Sequence, residues 1–198
     1  MINDIPDVVP AGRMRKTAQP VLALPGGLEL RPWRTADAPQ LVEARRDPQI
    51  RQWNRPAALS VAEEEQRIEK WAERWRDEAA GIWAVAEPGG GEAAGLVGLG
   101  DVQLRHGSAE ILYWLLPAAR GRGVAVEAAV RLTGWALDDL GLHRVRLTHS
   151  TANPASCRVA EKAGYAYEGT LRSALLHADG WHDEHLHARV RGDALPTV

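Results

Sequence analysis

The sequence predicts an α/β fold: a single domain on a mixed, mostly antiparallel central sheet of about six to seven strands, flanked by helices. Three observations carry this prediction. Strand-length apolar runs alternate with runs of helical period along most of the 198 residues. Two apolar runs at 165–177 and 181–191, turned by Ala178-Asp179-Gly180, read as a final hairpin. A composition of 45% hydrophobic and 25% charged residues suits one globular domain with a real core.

Residues 1–26 carry prolines at 6, 10, 20 and 25 and a basic patch, Arg13-Met14-Arg15-Lys16, and read as a flexible or extended N-terminal arm. The domain proper is expected over 27–192, with 193–198 as a tail. Leu28-Glu29-Leu30-Arg31-Pro32-Trp33 alternates as a strand does. A helix is expected over 37–46, broken near Pro48, followed by a loop at 50–56. Ser60 with Glu63 forms a capping-box pattern, opening a long helix through Ile68, Trp71 and Trp75. Strands are predicted at 81–87, 94–104 and 110–116. A helix over 126–140 follows from Val126, Ala129, Val130, Ala136, Leu137 and Leu140, then a strand at 144–148 and a short helix at 155–163. No internal repeat is visible. Eight tryptophans and no phenylalanine mean that tryptophan fills much of the aromatic core.

The same text excludes several classes. A formal net charge of -2 argues against a protein that binds nucleic acid by bulk electrostatics. One cysteine cannot form an internal disulfide, so nothing points to an oxidising compartment. No apolar run approaches a membrane span, and the N-terminus lacks the apolar core of a signal peptide, so a cytoplasmic location is expected.

The most informative stretch is Arg120-Gly121-Arg122-Gly123-Val124-Ala125, between the strand Ile111-Leu112-Tyr113-Trp114-Leu115-Leu116-Pro117 and a helix. Glycines let the backbone approach a ligand, and the first N–H groups of a helix have no internal partner and sit at its positive pole. A phosphate or pyrophosphate is the natural occupant of such a cradle. The Walker pattern is absent, and Val124-Ala125-Val126 replaces the third glycine of a dinucleotide fingerprint.

Arg120-x-x-Gly123-x-Ala125 resembles the Gln/Arg-x-x-Gly-x-Gly/Ala signature of the GCN5-related N-acetyltransferases (GNAT enzymes). Downstream, Gly141-Leu142-His143-Arg144-Val145, then Asn153-Pro154-Ala155-Ser156-Cys157-Arg158-Val159-Ala160-Glu161-Lys162-Ala163-Gly164-Tyr165 and Glu168-Gly169-Thr170-Leu171-Arg172, resemble the RimJ/RimL branch, which acetylates ribosomal-protein N-termini. The resemblance runs from about Leu28 to Arg191, with Leu112 where the branch usually has glycine. It implies acetyl-CoA as cosubstrate, its pyrophosphate on Arg120, Gly121, Arg122, Gly123, Val124 and Ala125, and its pantetheine arm along the backbone of Leu115 and Leu116. Glu110 is the implied residue for positioning or deprotonating the amine. Ser156 is implied as proton donor to the leaving thiolate, with Asn153 capping its helix. Arg158 and Lys162 are implied CoA-phosphate contacts, and Trp53, Asn54 and Arg55 border the acceptor. Homodimerisation is an expectation of the branch.

An α-amine, with pKa near 7.7–8.0, loses its proton at pH 7 for about 1 kcal/mol, whereas lysine needs roughly 4–5 kcal/mol. One carboxylate therefore suits a protein N-terminus or another weakly basic amine. Open alternatives are succinyl-CoA as donor, a small amine or antibiotic as acceptor, and a CoA-binding regulatory module without turnover. His177, His182, His185 and His187 are expected as solvated hairpin residues, since alternation puts His182 on the opposite face from His185 and His187; no metal is expected. Cys157 reads as a packing residue.

Overall fold

The computed structural model describes residues 5–54 and 57–194. Its elements in chain order are β1 (Leu22–Ala23), β2 (Glu29–Pro32), α1 (Ala38–Arg46), α2 (Pro48–Asn54), α3 (Val61–Arg76), β3 (Gly81–Ala86), β4 (Ala93–Gln103) and β5 (Ser108–Leu115). There follow α4 (Val124–Gly134), β6 (Arg144–Ser150), α5 (Pro154–Lys162), β7 (Ala166–His177) and β8 (Gly180–Val190). The strands form one eight-stranded sheet in the order β1-β2-β3-β4-β5-β6-β8-β7. All neighbours are antiparallel except β5 and β6, which run parallel.

The count exceeds the expected six to seven because β1 comes from the segment read as an arm. Val9, Met14, Leu22 and Leu24 of that segment are buried in the main core. The indoles of Trp75 and Trp83 donate to the carbonyls of Thr17 (2.9 Å) and Pro20 (2.8 Å), and the Glu78 carboxylate takes the N–H groups of Gly12 and Met14. A two-residue strand held by distant indoles has no periodicity to read.

The second correction is α2, where a loop was expected. Pro48 stands in the first turn, where its missing N–H costs nothing, and Asp47 Oδ1 accepts the Ile50 N–H at 2.8 Å. The capping box at α3 forms in both directions, Ser60 N–H to Glu63 Oε2 at 2.7 Å and Glu63 N–H to Ser60 Oγ at 3.3 Å. The helix expected over 126–140 starts earlier, at Val124, and its last turn, Trp135–Leu140, widens to a π-helix before Gly141.

Alternation along the strands divides the sheet into two faces. Trp33, Trp71 and Trp114 pack with Leu41 and Ile68 on the face covered by α1 and the middle of α3. Trp75, Trp83 and Trp135 meet on the other face, with ring centroids 5.4–6.0 Å apart, in the core that includes α4. Tryptophan does fill the aromatic core. Trp181, at 65% exposure, stands outside it on the hairpin.

Candidate active site

The site follows from a fault in the sheet. β5 and β6 pair only from Ser108–Arg144 to Glu110–Arg146, and beyond this both strands run on without pairing to each other. Leu116 N–H bonds to Ala94 O at 2.8 Å, so Leu115 and Gly95 form a non-hydrogen-bonded pair. By alternation, the backbone groups of Tyr113 and Leu115 face away from β4, into the gap beside β6. Leu116 is committed to β4, and Leu115 O accepts from Arg120 Nε at 2.9 Å. The Leu115 N–H and both groups of Tyr113 face the gap.

At the end of β5 the chain turns through Pro117–Ala119 into the glycine loop. Gly121 and Gly123 adopt φ +74° and +80°, the left-handed region that an L side chain enters at about 1–2 kcal/mol. The N–H groups of Gly121, Arg122, Gly123, Val124 and Ala125 have no acceptor among the described residues. They form a run of outward donors ending at the positive pole of α4. Arg122 is exposed, as are Arg158 and Lys162 on α5.

Arg120 differs from its expected role. Its guanidinium is occupied by Leu115 O, Gln49 Oε1 (2.9 Å) and Asp47 Oδ1 (2.7 Å). Burial disfavours the Asp47 charge, but the Arg120 contact and the Ile50 N–H outweigh it and hold its carboxyl below the usual range. Arg120 therefore ties the loop to α2, and the donors offered to a ligand are the backbone groups after it.

On the face shared with α1 stands Glu110, the last β5 residue to pair with β6. Its Oε2 accepts from Arg146 Nε at 3.0 Å and its Oε1 from Thr148 Oγ1 at 2.8 Å. Arg146 also donates to Asp101 Oδ2 at 2.6 Å. Asp101 sits at the irregularity of β4 with φ 45°, so a strained backbone position aims this second carboxylate at the shared arginine. The Arg146 contact depresses the Asp101 carboxyl. Arg146 and Thr148 alternate along β6, but their common target is 36 and 38 residues away, which no local pattern reveals.

Tyr113 projects to the opposite face. Its hydroxyl is buried beside Ser156 of α5, without a hydrogen bond of good geometry, and burial pushes its pKa up to about 12 despite the serine. Asn153 caps α5, its Oδ1 accepting the Ser156 N–H at 3.2 Å. Tyr165 is buried and hydrogen-bonded to Thr133, and burial raises its pKa too. Ser156 and Tyr113 thus meet at the gap, while Tyr165 belongs to the core.

Trp53 and Asn54 lie at the end of α2; Arg55 lies outside the described residues. Trp53 packs edge-on against His177 (5.4 Å) and His182 (6.3 Å) of the hairpin. His177 Nδ1 meets Gln52 O at 2.9 Å, and His182 Nδ1 meets Ser150 Oγ at 2.7 Å. The expectation of solvated hairpin histidines is corrected here. His177 and His187 are 7% and 3% exposed, because the hairpin folds back against α2 at its tip and pairs with β6 along its length.

Residues 27–166 match the family model for the acetyltransferase (GNAT) domain. The ribosomal-protein-serine acetyltransferase of Escherichia coli (strain K12) is 29% identical over 50% of this chain and 55% of that protein. The chain spans 51% and 55% of the length of two curated relatives it matches and 70% of a third. Among solved structures, RimL, a ribosomal L7/L12 alpha-N-protein acetyltransferase in complex with coenzyme A, superimposes with a TM-score of 0.77 at 20% identity, over 86% of this chain and 98% of that one. Mycobacterium smegmatis RimJ, in complex with CoA-disulfide, gives 0.76 at 24% identity over 86% of each.

Proposed function

This chain belongs to the GNAT acetyltransferase family, and from that premise we propose that it transfers the acetyl group of acetyl-CoA to a primary amine, a protein N-terminal α-amine foremost. The observation that carries the reading is the gap between β5 and β6, bordered by free backbone donors, with Glu110 and Arg146 on one face and Tyr113 and Ser156 on the other. The N–H groups of 121–125, with Arg122, bind the pyrophosphate. Arg158 and Lys162 supply further cations, and Arg120 keeps the loop in place. The pantetheine arm runs along the free groups of Tyr113 and Leu115, as an added strand would. The Leu115 N–H is positioned to polarise the thioester carbonyl.

The amine enters on the Glu110 face, past Trp53 and Asn54. Glu110, which accepts hydrogen bonds from Arg146 and Thr148, takes a proton from the ammonium directly or through water. The freed nitrogen attacks the thioester carbon, the C–S bond breaks, the nitrogen sheds its second proton through water on the Glu110 face to solvent, and the thiolate takes a proton on the Tyr113–Ser156 face that solvent restores. A hydroxyl with pKa near 12 is protonated throughout the neutral range, so Tyr113 is available to donate either to the sulfur or through Ser156. The names of RimL and the Escherichia coli relative favour a ribosomal-protein acceptor.

The test is acceptor-dependent CoA release, with acetyl-CoA and separate panels of N-terminal peptides, polyamines and aminoglycosides. Release with peptides alone supports the reading. Release with the small amines alone moves the acceptor to that class. Binding without release on any panel favours a regulatory CoA-binding module.

A further inference from the structure

Beneath α5, away from Glu110, three histidines and the single cysteine of the chain converge. β6 and β8 place His149 opposite His185 and His187 diagonally across, and the rings of His185 and His187 each lie 5.3 Å from that of His149. α5 brings Cys157 down onto the same face. One donor atom each from His149, Cys157 and His185 lie within 4.8 Å of one another.

The hydrogen bonding around this cluster is incomplete in an informative way. His149 is 6% exposed, and its Nδ1 lies 2.8 Å from Ser150 O. A carbonyl only accepts, so Nδ1 carries the proton and Nε2 presents a lone pair, buried and without a partner. His185 Nδ1 is likewise buried and unpartnered, and neither nitrogen of His187 has a hydrogen bond of good geometry. Buried polar atoms nearly always find partners, because desolvating one with no replacement costs about 1–3 kcal/mol. A carbonyl fixing the tautomer of a ring whose other nitrogen is free is also the usual outer support of a metal-bound histidine.

We propose that His149, His185 and Cys157 bind a divalent cation of the zinc class. Imidazole and thiolate donors select borderline metals such as zinc or cobalt over magnesium, calcium or manganese. Tetrahedral coordination, with nitrogen at about 2.0–2.1 Å and sulfur at about 2.3 Å, brings donor atoms to roughly 3.3–3.8 Å from one another. The three atoms reach that spacing by side-chain movements of about 1 Å. Glu161, one turn beyond Cys157, accepts from its Sγ at 3.7 Å, a contact that metal binding would replace. Binding replaces the S–H bond by a metal–sulfur bond and releases the proton to solvent. The cation fastens the start of α5 to β6 and β8.

The test is cobalt(II) titration of the full chain after stripping with chelator, followed by absorption. The expected result is a 1:1 complex with tetrahedral d–d bands and a thiolate-to-cobalt charge-transfer band. Cys157→Ser abolishes the charge-transfer band, and His149→Gln or His185→Gln weakens binding tenfold or more. His182→Gln, in the separate cluster at the hairpin tip, leaves the titration unchanged. Cys157 is partly exposed, so its serine variant keeps the test valid if His149→Gln fails to fold, as circular dichroism reports. Absence of a charge-transfer band at stoichiometric cobalt, its survival in Cys157→Ser, or equal loss with His182→Gln overturns the proposal.

Discussion

The two sides of the β5–β6 gap are built from different materials. The side proposed to hold the acyl donor, from Gly121 to Ala125, is made of main chain: positive-φ glycines and N–H groups at the head of α4 with no acceptor among the described residues. The acceptor side is made of side chains drawn together from afar: Glu110 with Arg146, Thr148 and Asp101, and Trp53 with His177 and His182. A backbone site depends on local conformation, so it tolerates change in side chains but not in φ. A side-chain site tolerates backbone drift but not the loss of one partner. Substitutions should therefore separate the two sides cleanly.

The largest effect is expected on the acceptor side. Glu110→Gln should lower kcat/KM for the amine by on the order of 10²–10⁴, the usual range for losing a general base, with acetyl-CoA affinity unchanged by calorimetry. On the donor side, Gly123→Val forces a β-branched residue to φ +80°. At about 1–2 kcal/mol or more for that conformation, acetyl-CoA binding should weaken roughly tenfold, with acceptor KM little altered. Arg120→Ala sharpens the contrast. Its partly exposed ion pair with Asp47 should be worth about 1 kcal/mol in a denaturant melt, and acetyl-CoA affinity should fall less than in Gly123→Val.

The pH dependence follows from the same division. The rate should rise as the acceptor α-amine deprotonates, near pH 7.7–8.0. Because burial holds Tyr113 at about 12, its ionisation should add no falling limb below pH 10, and Tyr113→Phe should lower kcat without moving the rising limb. A smaller, purely structural effect concerns Asp37, which accepts both guanidinium nitrogens of Arg31 at 2.7 and 2.8 Å. Burial works against its charge, but Arg31 and the Arg34 N–H prevail and lower its pKa. Its contribution is complete above the ordinary carboxyl value of 3.8 and disappears as pH falls through the lower folded value, so acid melts should separate wild type from Asp37→Asn only above that range.

How much was legible in the sequence follows from the same contrast. The glycine loop, the capping box at Ser60 and the Asn153 cap depend on residues within a few positions of one another, and each is found where local spacing places it. Arg120 was read as a ligand contact because motif position gives the residue but not where its guanidinium turns, and its partners lie 71 and 73 residues upstream. That the Leu116 N–H bonds to β4 could not be read, because sequence gives no sign of which strand a backbone N–H faces. Tyr113 stood in plain view as an aromatic in a strand. Its nearness to Ser156 appears only when α5 packs over the gap. The hairpin histidines were misread for a similar reason, since alternation sorts the two faces of a strand but does not say which face another element will cover.

The central claim is that the backbone of Gly121 to Ala125 holds acetyl-CoA. The most direct measurement is calorimetric titration of wild type and Gly123→Val with acetyl-CoA. The account predicts one site per chain in the wild type, weakened about tenfold in the variant while its fold is retained by circular dichroism. Absence of binding in the wild type, or equal affinity in a folded Gly123→Val, would contradict it.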